Sequence, residues 1–281
     1  MCEFCLKHGE GRKWYLQARN YAEDMLSDIR RREYLGGIIA HPERLAGQFE
    51  TLVRLDRLPA VVKRAVARRA TARMKREHFG QVVPIEDVER IFDLVTSIVR
   101  VDCMCRNHTL GGEHRMCYGV SMGPDGGTLV EIAREVRPQY FRGPGAQGVE
   151  VLDREEALEH FRKLEHIGAC HTVWTFMTPF LAGICNCDRV DCLSMRATLR
   201  YETPVFFRGE YVGEADPDLC TGCRACMRVC PFGALGFSPA LGKVHVLTKV
   251  CYGCGICRSA CSSGALRLLE RASVPEVAHI W

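Results

Sequence analysis

Apolar positions recur at helical spacing through most of the first two hundred residues. In "KWYLQARNYAEDMLSDI", Leu16, Tyr21, Met25, Leu26 and Ile29 fall on one stripe, which predicts an amphipathic helix. A second helix is predicted over 43–58, with Leu45, Phe49, Leu52 and Val53 on one side and a stop at Pro59. The best-marked helix opens at Pro84, a favourable first-turn residue. It carries Ile85, Val88, Ile91, Phe92, Val95, Ile98 and Val99, and it runs into "VDCMCR". After a glycine- and proline-rich stretch (143–148), Asp153 and Glu156 have capping-box spacing. The helix they introduce buries Leu158, Phe161 and Leu164 and ends near Gly168, after which "ACHTVWTF" reads as a strand. Each of these helices reads as scaffold.

Between them, 60–79 sets Lys63, Arg64, Arg68, Arg69, Arg73, Lys75 and Arg76 against the lone acid Glu77. Such a face docks an acidic or phosphate-bearing partner, or it is simply solvated. A net charge of +4, without aromatic interleaving or a DNA-binding motif, argues against nucleic acid. The longest apolar stretch, "VWTFMTPFLAGIC" (173–185), is too short to span a bilayer and contains Pro179, so no transmembrane segment is expected.

Composition changes the picture at one point: 17 of the 281 residues are cysteine. The start, "MCEFCLKHGEGRKWY", lacks the apolar core of a signal peptide, and the chain is not small. The expected compartment is therefore the reducing cytoplasm, with the thiols as metal ligands rather than disulfide staples.

Eight of them form "CTGCRACMRVCP" (220–231) and "CYGCGICRSACS" (251–262), each C-x2-C-x2-C-x3-C. The second copy follows the first by 31 residues at all four cysteines, and a Gly-Ala-Leu follows each (233–235 and 264–266), so the pair is an internal duplication. A short loop wraps three thiolates around one face of a cubane, and glycines let backbone N–H groups approach the sulfurs. In a two-cluster fold the fourth cysteine serves the other cube. One cluster is then assigned to Cys220, Cys223, Cys226 and Cys261, and the other to Cys251, Cys254, Cys257 and Cys230. Structural zinc fits these two loops far less well than a cubane.

Residues 208–270 resemble the bacterial-type ferredoxin with two [4Fe–4S] centres. Ser262 departs from the proline often found after the fourth cysteine, as at Pro231. The resemblance implies one-electron transfer at low potential, short antiparallel strands and two cluster-binding helices. It implies no active site, because a cluster with four cysteine ligands has no open iron.

Nine cysteines remain. Cys170, between a helix end and an apolar strand, reads as a small buried hydrophobe. The others group as Cys2 and Cys5, as Cys103, Cys105 and Cys117, and as Cys185, Cys187 and Cys192. C-x-C puts two thiols on one side of an extended chain, as a shared metal requires. Arg106 and Arg189 stand where they could offset cluster charge. "CMC…C" and "CNC…C" are thus expected to meet at one or two further metal sites, with a [4Fe–4S] cluster favoured over zinc. Cys2 and Cys5 would bring the total to eight thiols, enough for two four-thiolate sites. The motifs "CMCR…C", "GICNC" and "KHGEGRKWY" resemble the cysteine-rich portion of iron–sulfur proteins of anaerobes that end in a ferredoxin module, a resemblance that carries no activity.

The expected fold is α+β: a mainly helical, cysteine-rich domain over 1–207, then a dicluster ferredoxin domain over 208–281. The expected function is an electron-transfer protein relaying single low-potential electrons between redox partners, as a subunit of a larger anaerobic oxidoreductase complex. "GPDGGTLVEIAREV" (123–136) is glycine-rich before a helix, yet it lacks the Walker lysine and the dinucleotide spacing, so its glycines read as a turn. The alternative is an oxidoreductase whose upstream cluster, with an open iron or with His108 or His171 as a ligand, is itself catalytic.

Overall fold

The computed structural model describes residues 2–142 and 148–281, so most of the glycine- and proline-rich stretch lies outside the described residues. Helices and strands are mixed along the chain. At its centre is a seven-stranded sheet of β1 (Gly80–Val82), β2 (Ser97–Val101), β3 (Cys117–Ser121), β4 (Glu150–Leu152), β5 (Cys170–Thr175), β6 (Leu181–Cys187) and β7 (Phe206–Phe207). The strand order is β4-β2-β3-β6-β5-β1-β7, antiparallel throughout except for the parallel β1–β7 edge.

This sheet adds to the mainly helical reading upstream, where only β5 was expected as a strand. The helix at Pro84 ends at Leu94, and Ile98 and Val99 belong to β2. The run Val95-Thr96-Ser97 favours extended backbone, and the apolar residues beyond it continued the helical spacing by coincidence. The segment 13–29 is also no continuous helix. It folds as three short 3-10 turns (Trp14–Leu16, Ala18–Tyr21, Glu23–Ser27), tied by Asn20 Nδ2 donating to Trp14 O (2.7 Å) and Tyr21 Oη donating to Tyr15 O (2.7 Å). The glycine-rich turn at 123–126 leads into the expected helix, Gly127–Val136.

Other elements follow the pattern closely. Helices span Glu43–Leu55 and Ala60–Glu77, and the second has no buried residue, as a solvated basic face requires. Part of its charge is neutralised within the chain, through Lys63–Asp56 (2.9 Å), Arg73–Glu77 (2.7 Å) and Lys75–Glu3. Asp153 and Glu156 form the full capping box of Arg154–His166.

Alternation along the strands sorts the sheet into two faces. On one, Tyr118, Val173 and Ile184 pack with Trp14, Ile91 and Phe161 in the main apolar core. On the other, the register sets Cys117 opposite Cys185, Thr172 opposite Cys185 and Cys170 opposite Cys187, so four cysteines share one surface. Beyond β7 come β8 (Tyr211–Ala215), β9 (Leu235–Ser238), β10 (Lys243–Val246) and β11 (Leu266–Glu270), paired as two antiparallel ribbons, β8–β11 and β9–β10. Two short helices, Ala225–Val229 and Ile256–Ser259, complete this C-terminal module. Among the described residues no helix is long and apolar enough to cross a membrane.

Candidate metal centres

In the C-terminal module the eight motif cysteines separate into two groups of four. Cys226 lies within electrostatic reach of Cys261, Cys223 and Cys220, and Cys254 within reach of Cys257, Cys251 and Cys230. The groups adjoin, since Cys257 also feels Cys226. Backbone N–H groups point at the sulfurs: Gly213 (3.3 Å) and Gly253 (3.4 Å) at Cys251, Val244 (3.4 Å) at Cys220, and Ala234 (3.3 Å) at Cys230. Each such bond stabilises negative charge on sulfur.

Two glycines make these loops possible. Gly222 (φ +73°) and Gly253 (φ +76°) occupy left-handed backbone, and a Cβ on either would overlap the carbonyl oxygen of Gly242 or Tyr211. Burial pushes Cys254 well above the ordinary thiol range and Cys257 to about 12. Such thiols ionise when a bound cation supplies the compensating charge. Thiol number, directed N–H groups and close backbone approach all fit a [4Fe–4S] cluster in each group. Cys223 is the exposed member of the eight.

The upstream cysteines of the two C-x-C runs do meet. Cys117 and Cys185, opposite each other on β3 and β6, bring their sulfurs within 3.3 Å. From Cys117 the contacts continue to Cys103, from Cys103 to Cys105, from Cys105 to Cys192 and from Cys192 to Cys187. Six thiols thus form one continuous network. Cys185 and Cys187 are extended in β6, as C-x-C suggests, whereas Cys103 is the N-cap of helix Met104–Leu110 and Cys105 lies in its first turn. Cys192 caps the next helix, Leu193–Leu199, accepting from Met195 N (3.4 Å).

One buried cation serves this network. Arg106 donates to Cys103 Sγ (3.7 Å) and Asn186 O (3.2 Å), and it pairs with Asp188. Hydrogen bonds from the Cys105 and Cys117 thiols, then the Arg106 charge, hold Cys103 far below the ordinary thiol range. Arg189 is exposed. His171 belongs to the other face of the sheet. Its Nδ1 meets Asn186 Oδ1 (2.6 Å), its Nε2 lies 3.5 Å from Glu165, and its ring packs on Phe161. His108 is exposed, 3.9 Å from Glu50.

The six cysteines also border a cavity of about 1000 Å³, whose other walls mix apolar side chains such as Leu35, Phe49, Met74 and Phe176 with charged ones such as Arg73 and Glu77. On the opposite side the network approaches the C-terminal module. Cys170 is fully buried and feels both Cys254 of the module and Cys192 of the network. Beside it Phe232 and Tyr252 stack in parallel (centroids 4.1 Å, 6°), with Phe206 edging toward both. Sequence reasoning gave Cys170 a packing role alone, because its place between two sulfur groups is set by the β5–β6 register.

Cys2 and Cys5 do not join the network. Their partner is Glu210, a residue that no sequence pattern flagged, with Cys5 Sγ donating to Glu210 Oε1 (3.0 Å).

Residues 213–262 match the family model for the 4Fe-4S dicluster domain, which supports iron–sulfur electron transfer and implies redox partners. No curated protein matches the chain.

Proposed function

We propose that the chain relays single electrons through three sulfur-ligated centres in series: two [4Fe–4S] clusters in the C-terminal module and a further metal centre at the six-thiol network. The observation that carries this reading is the continuous contact among Cys103, Cys105, Cys117, Cys185, Cys187 and Cys192, next to a module cysteine through Cys170. Cys220, Cys223, Cys226 and Cys261 hold one module cluster, and Cys251, Cys254, Cys257 and Cys230 hold the other. These clusters, when bound, accept and release one electron at a time at low potential.

The chain's own residues set the conditions. N–H groups of Gly213, Gly253, Val244 and Ala234 favour the more negative state of each site and raise its potential. Arg106 does the same at the network. Exposed Cys223 gives a contact point for a redox partner. Six donors exceed the four needed to close a cubane, which favours a relay over a centre with open iron. The partners are redox enzymes, with the chain as a subunit of an anaerobic oxidoreductase complex in the cytoplasm, and residues 1–207 and 208–281 act as its two domains.

The cavity favours a second reading. Its volume suits a small organic molecule, and its walls put such a molecule against the thiols. In that reading the upstream centre is where an apolar substrate is oxidised or reduced. The two readings separate in the EPR spectrum of the reduced protein. Replacing Cys103, Cys105 and Cys192 by Ala leaves three thiols, too few to close a cubane, and should remove one signal while leaving the two module signals intact. A wild type that shows only the two module signals would refute an upstream cluster in the relay. A wild-type signal that shifts when an apolar ligand is added would favour the catalytic reading.

A further inference from the structure

The N-terminal cysteine pair is built into a separate, buried site. Cys2 and Cys5 bracket the first turn of helix Glu3–His8, where Cys5 N donates to Cys2 Sγ (3.4 Å) and the two sulfurs lie 3.4 Å apart. Glu210, at the entrance to β8, brings a carboxylate to Cys5, and donor atoms from all three residues lie within 4.8 Å of one another. The residues are 1%, 0% and 4% exposed. Burying a carboxylate beside two thiols is costly unless a cation or a full set of donors offsets it.

The nearby polar groups offset that charge only in part. Gln81 is fixed by Trp14 Nε1 donating to its Oε1 (2.5 Å) and by its own Nε2 donating to Arg208 O (3.0 Å). The same Nε2 stands 3.8 Å from Cys2 Sγ and 3.5 Å from Glu210 Oε1, so it offers a shared N–H and no charge. Arg271 feels the Glu210 charge, but its Nε and Nη2 go to the carbonyls of Gly209, Tyr211 and Cys251, and its Nη1 makes no hydrogen bond among the described residues. Lys13 is engaged by Glu270, Asp87 and Tyr211.

We propose that Cys2, Cys5 and Glu210 bind one zinc ion, which clasps the N-terminal helix to the C-terminal module. Zinc accepts this mixed thiolate and carboxylate set, with solvent in the fourth position. With Zn–S of about 2.3 Å and Zn–O of about 2.1 Å, tetrahedral angles put S···S near 3.8 Å and S···O near 3.6 Å. The present separations of 3.4 Å and 3.0 Å reach those values by shifts well under an ångström. Binding releases both thiol protons to solvent, and the dication leaves Glu210 and two thiolates one negative charge in excess. The Gln81 N–H faces that excess, and its fixed orientation holds Cys2 in place. The clasp reaches the module directly, since the neighbouring Gly209 N donates to Tyr252 O (2.8 Å) inside the second cluster loop.

The site is independent of the six-thiol assignment and is tested apart from it. Full-length protein, purified anaerobically, is assayed for zinc, iron and sulfide, then depleted with a chelator and reloaded with Zn²⁺ or Co²⁺. The wild type should retain about one zinc per chain. The variants Cys5→Ser and Glu210→Gln should bind it at least about tenfold more weakly, with iron and sulfide unchanged. Cobalt in the wild type should give a thiolate charge-transfer band that Cys5→Ser diminishes. Glu210→Gln preserves shape, so its result stands even if the serine variant fails to fold. Zinc that is absent after reloading, or that both variants keep, overturns the proposal. Iron that falls with Cys5→Ser would assign the pair to a cluster and overturn it equally.

Discussion

Adding one methyl group at Gly222 or Gly253 should disable one module cluster while leaving the other in place. Both residues sit at φ above +70°, where an L side chain costs about 1–2 kcal/mol. At each position the new Cβ would also fall well under 3.0 Å from a backbone oxygen, of Gly242 for the first and of Tyr211 for the second. Backbone does not swing aside as a flexible side chain does, so relieving the overlap adds about 1–3 kcal/mol or more. Together these give about 2–5 kcal/mol, concentrated in a loop whose N–H groups must face sulfur. Gly264 is the internal control, because its φ is +67° but nothing lies within 4 Å of its Cβ position. Gly264→Ala should therefore cost only the backbone term. The assay is cluster content and reduced-state EPR of the three alanine variants after anaerobic purification. Gly222→Ala should lose the signal of the Cys220–Cys226 loop and Gly253→Ala that of the Cys251–Cys257 loop, with Gly264→Ala retaining both. Equal loss in all three variants, or none in any, would refute the close-approach reasoning.

Three further outcomes follow from burial and charge. Cys170→Ala removes one sulfur from a packed position at about 1 kcal/mol and should leave iron and zinc content unchanged, whereas metal loss would make Cys170 a ligand. Arg271→Met leaves three carbonyls without their donor, so urea unfolding should shift by about 3 kcal/mol or more, and losing a cation beside Cys251 should lower the potential of that cluster. An unchanged potential would place that charge out of reach of the cluster. Burial holds His78 at about 4, against 6.5 when unfolded, while its bond to Thr175 O works the other way. The unfolded chain therefore binds more protons between these values. Stability is full above about pH 6.5 and falls by about 3 kcal/mol as pH drops to 4. His78→Phe should flatten that part of the pH–stability curve, and an unchanged slope would contradict the burial argument.

The sequence exposed what depends on local spacing and concealed what depends on long-range register. The duplicated cysteine loops, the capping box at Asp153 and the two helices ending at Leu55 and Glu77 are local events, and periodicity or spacing marked each. Strands β1, β2 and β3 went unrecognised because they are short and mostly buried, so they show no clear alternation between polar and apolar faces. The 13–29 stripe misled because Asn20 and Tyr21 spend side-chain bonds on the backbone, favouring tight turns over a helix. That the two C-x-C runs converge was readable, since paired thiols among polar residues make poor core. The partner of Cys5 was not, because Glu210 lies 205 residues away and only the fold brings it near.

The relay depends on a metal centre at the six-thiol network, and iron and acid-labile sulfide per chain, measured anaerobically, decide whether one is there. Two module clusters account for about eight irons, so a third cluster should raise the count to about twelve, with matching sulfide. A count of about eight, unchanged when Cys103, Cys105 and Cys192 are replaced, would confine iron–sulfur chemistry to the C-terminal module and contradict a third cluster in the relay.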